Sequence, residues 1–316
     1  MNKLDLIKRN TEEIITEEKL KTLLKKKNPR VYCGYEPSGE IHLGHLVTIT
    51  KLLDLQEAGF QVVILFADYH AFLNQKGDWK FINEQVKHWK KGFKAAGLTK
   101  AEFVVGSSFQ TKKEYQEDVL KLSSSITINR ALRSMQQVAR DIENAKVSQV
   151  IYPFMQIVDI KHLKLDAVQS GIEQRKIHMM GSENFSKIDC KTPLFIHTPL
   201  INSLKGPGSK MSSSEKESFI SIRDSDESIK KKINKTHCVV GEKNSPILEI
   251  IKLIIFPRVK MFIINRPTKF GGSLKFDDYE KLEKEFTSKK IHPLDLKNSV
   301  SEYLINIITP IRKAYK

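Results

Sequence analysis

Hydrophobic and polar positions in the first third of the chain alternate between two kinds of segment. Strand-length apolar runs lie at residues 30–33, 61–67 and 102–105. Between them, residues 42–58 and 78–96 carry an apolar residue every three or four positions and are followed by a glycine, as amphipathic helices often are. Continuous apolar strands are typical of a parallel sheet that is buried on both faces. The pattern therefore predicts an α/β fold built on a Rossmann-like, doubly wound parallel sheet.

The rest of the chain predicts more helix and a second domain. The first 28 residues have a charged, helical pattern. Further helices are expected at 127–143 and 147–163, and further strands at 165–168, 194–197 and 219–222. From about Asp224, lysine-rich helical segments replace the alternation of strands and helices. We therefore expect a first domain over residues 1–223 and a smaller, mainly α-helical C-terminal domain over residues 224–316.

The charge of the chain narrows the class of partner. Its 316 residues include 53 Lys and Arg against 37 Asp and Glu, which gives a formal net charge of +16. Such an excess favours a polyanionic partner, with nucleic acid ahead of an anionic membrane. A lysine-rich surface on an enzyme of small molecules would give the same count, so charge alone leaves both readings open.

Several classes of protein are excluded by composition. No apolar run approaches the roughly 18 residues of a membrane helix, and the mixed charge that follows Met1 predicts no secretory signal. The three cysteines have neither metal-ligand spacing nor an even number, so we expect no metal site and no disulfide framework. These features predict a cytoplasmic protein that does not bind a membrane.

The first candidate for chemistry is the segment PSGEIHLGH at residues 37–45. It lies between the first predicted strand and the first predicted helix, where an open α/β sheet forms a crevice and a helix N-terminus favours anions. His42 and His45 would share one face of the first turn, and Gly44 would let a ligand approach the backbone closely. The segment therefore predicts a nucleotide-phosphate site with imidazole donors, although two ordinary surface histidines would fit the same pattern.

The second candidate is the segment GPGSKMSSS at residues 206–214. Its glycines and serines predict a mobile, polar loop in which Lys210 and the hydroxyl groups could hold phosphate oxygens. A solvated linker is the simpler interpretation of this segment when it is taken alone.

A third candidate lies on one predicted helix. Tyr152, Gln156 and Asp159 are spaced at i, i+4 and i+7, so they form a narrow stripe of a phenol, an amide and a carboxylate. Such a stripe could line a polar pocket at the end of the sheet, or it could face solvent on an amphipathic helix.

Taken together, the first two segments resemble the HIGH and KMSKS signatures of class I aminoacyl-tRNA synthetases. They occur in the right order, as HLGH at 42–45 and KMSSS at 210–214, with Ser213 in place of the second lysine. The closer resemblance is to tyrosyl-tRNA synthetases of the archaeal and eukaryotic type, in which the second motif usually has the form KMSSS. Residues 67–77, 150–156 and 173–179 support it, and it covers nearly the whole chain.

The resemblance implies an enzyme that activates tyrosine with ATP and Mg²⁺ and transfers it to tRNA(Tyr). The residues it places around tyrosine are Tyr32, Glu36, Tyr152, Gln156, Asp159 and Gln174. Among them, Tyr32 and Asp159 would bind the phenol hydroxyl, and Tyr152, Gln156 and Gln174 would hold the ammonium group. The residues that the resemblance implies for catalysis are His42, His45, Lys210, Ser212 and Ser213. ATP would be bound by Gly34, Pro37, Gly44, Met211 and Ser213.

The same resemblance implies two contact regions for tRNA and a homodimer formed through the first domain. Arg133, Arg175 and Lys176 would read the first base pair of the acceptor stem, as arginine's planar fork suits. Phe270 would stack on an anticodon base, with His292 and Asp295 beside it. The alternative for Arg133, Arg175 and Lys176 is simple surface charge. Phe270 could instead be a core aromatic, and His292 could simply begin a helix.

Three alternatives and two departures bear on this interpretation. A tryptophanyl-tRNA synthetase would share the fold, but the pair Tyr32 and Asp159 suits a hydroxyl group, whereas indole offers only a donor. A small nucleotidyltransferase would lack the Lys210 loop, and an RNA-binding relative that has lost catalysis would not need both motifs. Ser170 stands where the family usually has glycine, and the segment 181–208 is slightly longer than in the short archaeal form.

Overall fold

A mostly parallel β-sheet forms the centre of the first of two compact units in this computed structural model. The structure describes residues 1–138, 144–208, 211 and 217–315. The first unit comprises residues 1–38, 51–90 and 98–199. Its strands are β1 (Glu13–Ile15), β2 (Arg30–Tyr35), β3 (Gln61–Phe66), β4 (Glu102–Val105), β5 (Ala167–Gly171) and β6 (Leu194–Thr198). They follow the order β1–β6–β5–β2–β3–β4 across the sheet.

The winding of the sheet reverses between β2 and β5. From β2 the chain moves outward through β3 to β4, and it then returns to place β5 and β6 on the other side of β2, all in parallel pairs. Only β1, at the edge beside β6, pairs antiparallel. Ligands of open α/β sheets bind outside the carboxyl ends of the strands at such a reversal, so the fold directs attention to the ends of β2 and β5.

Nine α-helices accompany the strands in this part of the chain, among the residues that the structure describes. They are α1 (Lys3–Lys8), α2 (Glu18–Lys25), α3 (Leu43–Glu57), α4 (Asp68–Leu73), α5 (Trp79–Ala95), α6 (Lys113–Ser123), α7 (Ile128–Met135), α8 (Val147–His162) and α9 (Arg175–Asn184). Of these, α3 and α5 each include residues assigned to the second unit. One core cluster joins Val63 and Leu65 of β3 to Tyr115 of α6, Val158 of α8 and Ile177 of α9. This packing fixes α6, α8 and α9 against the sheet near its reversal point.

The second compact unit comprises residues 39–50, 91–97 and 200–316. Its elements are α10 (Asp226–Lys235), α11 (Pro246–Ile250), β7 (Phe262–Ile264), β8 (Leu274–Phe276), α12 (Tyr279–Thr287) and α13 (Pro293–Tyr315), with a π-helical turn over Ile251–Ile255. The long helix α13 packs against α10, α11 and β7. The unit is mainly helical, as predicted. The functional boundary between residues 223 and 224 stays a prediction, because the compact units are discontinuous in sequence.

The α/β fold with a doubly wound sheet is confirmed, and four details of the predicted elements are corrected. The first 28 residues are not simply helical, because β1 separates α1 from α2. Residues 219–222 form no strand and make only the single bridge between His42 and Ser221. The helix predicted at 127–143 is present as Ile128–Met135, and residues 139–143 lie outside the described part. Helix α6 and the β7–β8 hairpin were not predicted.

Candidate active site

Asp159 is buried beneath the reversal point of the sheet. It lies on α8, and the residue is 1% exposed. Its Oδ1 accepts hydrogen bonds from Gln110 Nε2 at 2.8 Å and from the Tyr115 hydroxyl at 2.9 Å. Its Oδ2 lies 3.7 Å from His70 Nε2, which is beyond hydrogen-bond distance. Burial raises the pKa of Asp159 to about 7, and the bonds from Gln110 and Tyr115 oppose that rise.

Tyr32 supplies a protonated hydroxyl close to this carboxyl group. It lies on β2 and is buried. Burial, and then the charge of Asp159, raise the pKa of Tyr32 well above its usual value. The phenol therefore keeps its proton at neutral pH and can donate, while Asp159 can accept. A donor beside an acceptor matches a ligand hydroxyl group, which both accepts and donates one hydrogen bond.

Glu36, just past the end of β2, is held by three neighbours. Asn74 Nδ2 donates to both of its carboxylate oxygens, at 3.0 and 3.2 Å, and Lys76 Nζ lies 3.8 Å away. Tyr152 of α8 also hydrogen-bonds to Glu36; burial first, and then the Glu36 charge, raise the pKa of its phenol. The ring of Tyr152 packs edge-on against His70, with 4.6 Å between ring centroids. Glu36 and Tyr152 thus form one polar group, as the resemblance implies.

Gln156 lies one turn beyond Tyr152 on α8 and contacts Gln174, another residue predicted to bind tyrosine. Its Nε2 donates to Gln174 Oε1 at 3.3 Å and lies 3.5 Å from His178 Nε2. Within the described residues, its buried Oε1 has no hydrogen-bond partner. A buried carbonyl oxygen without a partner costs about 1–3 kcal/mol of stability. A cationic ligand group that donates a hydrogen bond to this oxygen would remove that cost.

The HLGH motif occupies the start of α3 and its preceding turn. The backbone N–H of His42 donates to His45 Nδ1 at 3.1 Å, and the N–H of Gly44 donates to His42 Nδ1 at 3.1 Å. Burial lowers the pKa of His42 to about 4, and burial together with His42 lowers that of His45 well below its usual value. Both rings are therefore neutral at pH 7. Since each Nδ1 accepts, each Nε2 carries the proton and is a neutral donor.

Gly44 is required by the closeness of His42. A Cβ at this position would lie 2.8 Å from Cε1 and 3.0 Å from Nδ1 of His42. No larger residue fits without displacing the imidazole. Besides the role in ligand approach predicted from the sequence, Gly44 thus has a role in positioning His42.

The predicted loop residues are only partly described. Lys210, Ser212 and Ser213 lie outside the described residues. Met211 is buried, and its N–H donates to the Ile201 carbonyl oxygen at 2.9 Å. Of the other residues predicted to bind ATP, Gly34 is exposed at the end of β2 and Pro37 is buried.

The predicted tRNA contacts divide between the two units. In the first, Arg133 is exposed, Arg175 pairs with Glu13 at 2.8 Å, and Lys176 Nζ donates to Gln136 Oε1 at 2.6 Å. In the second, Phe270 is 59% exposed, so it is not a core aromatic. His292 is exposed and its Nδ1 accepts from the Leu294 N–H at 3.2 Å, while Asp295 is half-buried in the first turn of α13.

Several residues that surround the candidate site were not predicted from the sequence. His70 and Asn74 lie in a stretch that was quoted for its resemblance but given no role, and Gln110 and Tyr115 lie in or before the unpredicted helix α6. No group of three His, Cys, Asp or Glu side chains suited to a metal ion occurs among the described residues. No helix in this part of the chain is long and apolar enough to cross a membrane.

Comparison with known proteins places this geometry in a family. The profile of tRNA synthetases class I (W and Y) matches residues 24–309. The chain is 48% identical to a tyrosine–tRNA ligase of Methanosarcina barkeri over 317 aligned residues, covering 99% of each chain. Its fold matches tyrosyl-tRNA synthetase from Archaeoglobus fulgidus, solved with L-tyrosine, with a TM-score of 0.96, 47% identity and 99% coverage of both chains. A tryptophanyl-tRNA synthetase from Aeropyrum pernix matches at 18% identity with a TM-score of 0.71, over 92% of this chain and 78% of that one, and shares the fold alone.

Proposed function

The chain belongs to the class I tRNA synthetases for tryptophan and tyrosine and is a tyrosine–tRNA ligase, and from this premise we propose which residues carry each step. Tyrosine reacts with ATP to give tyrosyl-adenylate and pyrophosphate, and the tyrosyl group then passes to the 3′ end of tRNA(Tyr). The observation that carries the proposed site is the buried Asp159 carboxyl group with the Tyr32 phenol nearby.

Tyr32 and Asp159 select the substrate by its hydroxyl group. Tyr32 donates a hydrogen bond to the phenol oxygen, and the phenol O–H donates to Asp159 Oδ2, because Oδ1 already accepts from Gln110 and Tyr115. Phenylalanine would offer no partner to the Tyr32 hydroxyl or to Asp159 Oδ2, which disfavours its binding. Tryptophan would supply a donor for Asp159 but no acceptor for Tyr32.

The other end of tyrosine is held through its ammonium group. Gln156 offers a buried Oε1 that lacks a partner among the described residues. Gln174 is held beside it by the 3.3 Å hydrogen bond from Gln156. Tyr152 and the Glu36 carboxylate complete the set, so the cation meets neutral acceptors and one negative charge.

Adenylate formation depends on positioning and on charge stabilisation, with no covalent enzyme intermediate. The tyrosine carboxylate attacks the α-phosphorus of ATP, and pyrophosphate leaves. The Nε2–H groups of His42 and His45 donate to phosphate oxygens as charge builds up on them. Lys210, Ser212 and Ser213 bind the leaving pyrophosphate, while Gly34, Pro37, Gly44 and Met211 border the nucleotide. Mg²⁺ accompanies ATP through the phosphate oxygens, as this cation usually does.

The transfer step uses two regions of positive or aromatic surface. Arg133, Arg175 and Lys176 of the first unit contact the acceptor end. Phe270, His292 and Asp295 of the second unit contact the anticodon loop, where exposed bases can stack on an aromatic ring. The functional domains are residues 1–223 for catalysis and residues 224–316 for anticodon binding.

We also propose a cytoplasmic homodimer. Exposed apolar side chains lie on three helices of the first unit: Phe72 of α4, Ile128 of α7, and Val147 and Ile151 of α8. Both α4 and α7 pack on α8, and exposed apolar side chains on neighbouring helices are typical of an interface. The three cysteines, Cys33, Cys190 and Cys238, are all free, as is usual in a reducing compartment.

Pyrophosphate exchange into ATP tests the assignment without tRNA. We expect exchange with tyrosine and none above background with tryptophan or phenylalanine. A Tyr32→Phe variant should lose discrimination against phenylalanine while the fold is retained. Exchange with tryptophan would overturn the pocket assignment, and folded protein that exchanges with none of the three would overturn the activity itself.

A further inference from the structure

A line of hydrogen bonds runs from Gln156 through two histidines to an ion pair near the surface of the first unit. Gln156 Nε2 lies 3.5 Å from His178 Nε2, and His178 Nδ1 lies 2.9 Å from His197 Nε2. His197 Nδ1 lies 3.1 Å from Glu13 Oε2, and Arg175 Nε donates to both Glu13 oxygens, at 3.0 and 2.8 Å. The five residues come from α8, α9, β6 and β1, so the line crosses the edge of the sheet.

The two histidines are sealed from water, whereas the outer end of the line is not. His178 is 1% exposed and His197 is fully buried. Their rings are stacked nearly parallel, with Phe195 beside them. The side chains of Glu13 and Arg175 are 29% and 46% exposed. Burial lowers the pKa of both histidines, so both rings are neutral. Arg175 lowers the pKa of Glu13, so the outer end of the line is a charged carboxylate.

The carboxylate fixes the direction of every hydrogen bond in the line. Glu13 can only accept, so His197 Nδ1 carries the proton and its Nε2 does not. His178 Nδ1 must then donate to that nitrogen, which leaves His178 Nε2 as an acceptor. Because His178 Nε2 accepts, the atom of Gln156 that faces it must be a donor. That atom is the amide nitrogen and not the oxygen.

The amide nitrogen of Gln156 is therefore held between His178 and Gln174 Oε1. The Gln156 oxygen is directed away from both of these neighbours, and it is the buried atom without a partner in the described part of the chain. Without the line, a 180° turn of the amide would place its –NH₂ group where an acceptor is needed, and two donors would then face a cationic substrate group.

We propose that His178 and His197 are positioning residues for tyrosine binding, which hold the Gln156 amide with its oxygen toward the substrate ammonium group, and that Glu13 sets the direction of the line. This inference rests on the proposed role of Gln156 in holding the ammonium group. It assigns a function to three residues that would not touch the substrate.

The test compares two ligands that differ only in the ammonium group. Dissociation constants are measured for tyrosine and for 3-(4-hydroxyphenyl)propionate, which lacks the amine, in wild type, His178→Phe, His197→Phe and Glu13→Ala. We expect each phenylalanine variant to weaken tyrosine binding about tenfold, as for a lost hydrogen bond to a charged group, and to leave binding of the analogue within about twofold. Glu13→Ala should show the same selectivity with a smaller loss.

His88→Phe is the matched control, because it makes the same change on α5, outside the line. It should leave both dissociation constants unchanged. Equal weakening of both ligands in the His178 and His197 variants, or no weakening, would overturn the proposal while leaving the ligase assignment intact. Should a phenylalanine variant fail to fold by circular dichroism, Glu13→Ala decides by the same criterion. Wild type without tyrosine-dependent exchange would instead overturn the proposed function.

Discussion

Asp159 is a buried carboxyl group and, among the described residues, accepts hydrogen bonds at only one of its oxygens. Gln110 and Tyr115 both donate to Oδ1. These bonds are too few to offset the loss of water, so the pKa of about 7 lies well above that of an exposed carboxyl group. The free protein therefore holds a mixture of charged and neutral Asp159 at neutral pH. A bound hydroxyl group that donates to Oδ2 would favour the charged form.

This raised pKa predicts a pH-dependent cost to folding. Between the usual aspartate pKa of 3.8 and about 7, the folded state binds a proton at Asp159 that the unfolded state has released. The contribution of Asp159 to stability is thus complete below this window and is lost as pH rises through it. We expect Asp159→Asn to gain free energy of unfolding relative to wild type from pH 5 to 7, by up to about 1.4 kcal/mol per pH unit, measured by urea denaturation.

Asp277→Asn serves as the control for that measurement. A hydrogen bond from Lys281 lowers the pKa of Asp277. Its contribution to stability is therefore lost only in acid, as the pH falls below the usual pKa of an aspartate. Its difference from wild type should stay constant over pH 5 to 7, and a rising difference in both variants would contradict the assignment to Asp159.

At the scale of elements, the start of α3 is where backbone geometry fixes the orientation of the two histidines that we propose to be catalytic. The first turn uses its own N–H groups to hold both imidazoles through Nδ1. The rings lie 4.0 Å apart, between centroids. The start of α3 and the two histidine side chains are therefore coupled. A change in the backbone there changes the direction of both Nε2–H groups.

Gly44→Ala tests this coupling. The added methyl group would lie 2.8 Å from His42 Cε1, so the ring must move. We expect tyrosine-dependent pyrophosphate exchange to fall by about 10²-fold or more, as when a positioned donor to the transition state is lost. Tyrosine binding, measured by calorimetry without ATP, should persist. An unchanged exchange rate would show that the position of His42 does not limit the reaction.

The elements that could be predicted from sequence are those whose pattern repeats over several residues. Residues 61–66 are apolar at five successive positions after Gln61, and they form β3 as predicted. β1 escaped prediction because only Ile14 and Ile15 follow two glutamates, and its pairing with β6 is not encoded locally. Residues 219–222 have a strand composition but no partner strand beyond one bridge.

The candidate site was predictable only where a motif carried it. Tyr152, Gln156 and Asp159 share a helix, so their spacing placed them on one stripe. Gln110, Tyr115 and His70 approach Asp159 from separate elements, and no local pattern marks them. Packing of the whole unit brings such residues together, and a single sequence does not display it.

At the scale of the whole molecule, the exposed apolar side chains on α4, α7 and α8 support the proposed homodimer. Val147 is 77% exposed at the start of α8, and Ile128 is 67% exposed on α7. A single chain of 36.3 kDa leaves these side chains in water. A second copy that covers them would remove apolar area from water at about 25 cal/mol per Å².

Val147→Glu should separate the two copies. A buried carboxylate at the interface costs several kcal/mol, whereas on an exposed helix start it changes stability by less than about 0.5 kcal/mol. We expect sedimentation equilibrium to give twice 36.3 kDa for wild type and half of that for the variant. Val239→Glu, at a 52% exposed position of the second unit, should sediment as wild type. A wild-type monomer would refute the dimer.

The placement of β1 beside β6 has a consequence for the order in which the chain is made. Glu13 and His197 are 184 positions apart, yet they share a hydrogen bond. During synthesis at about 5–20 residues per second, the first strand therefore waits on the order of 10–40 s for its neighbour to appear. Until then β1 has no strand to join. β1 is thus the first strand of this sheet to be synthesised, but it can pair only once the last strand, β6, has been made.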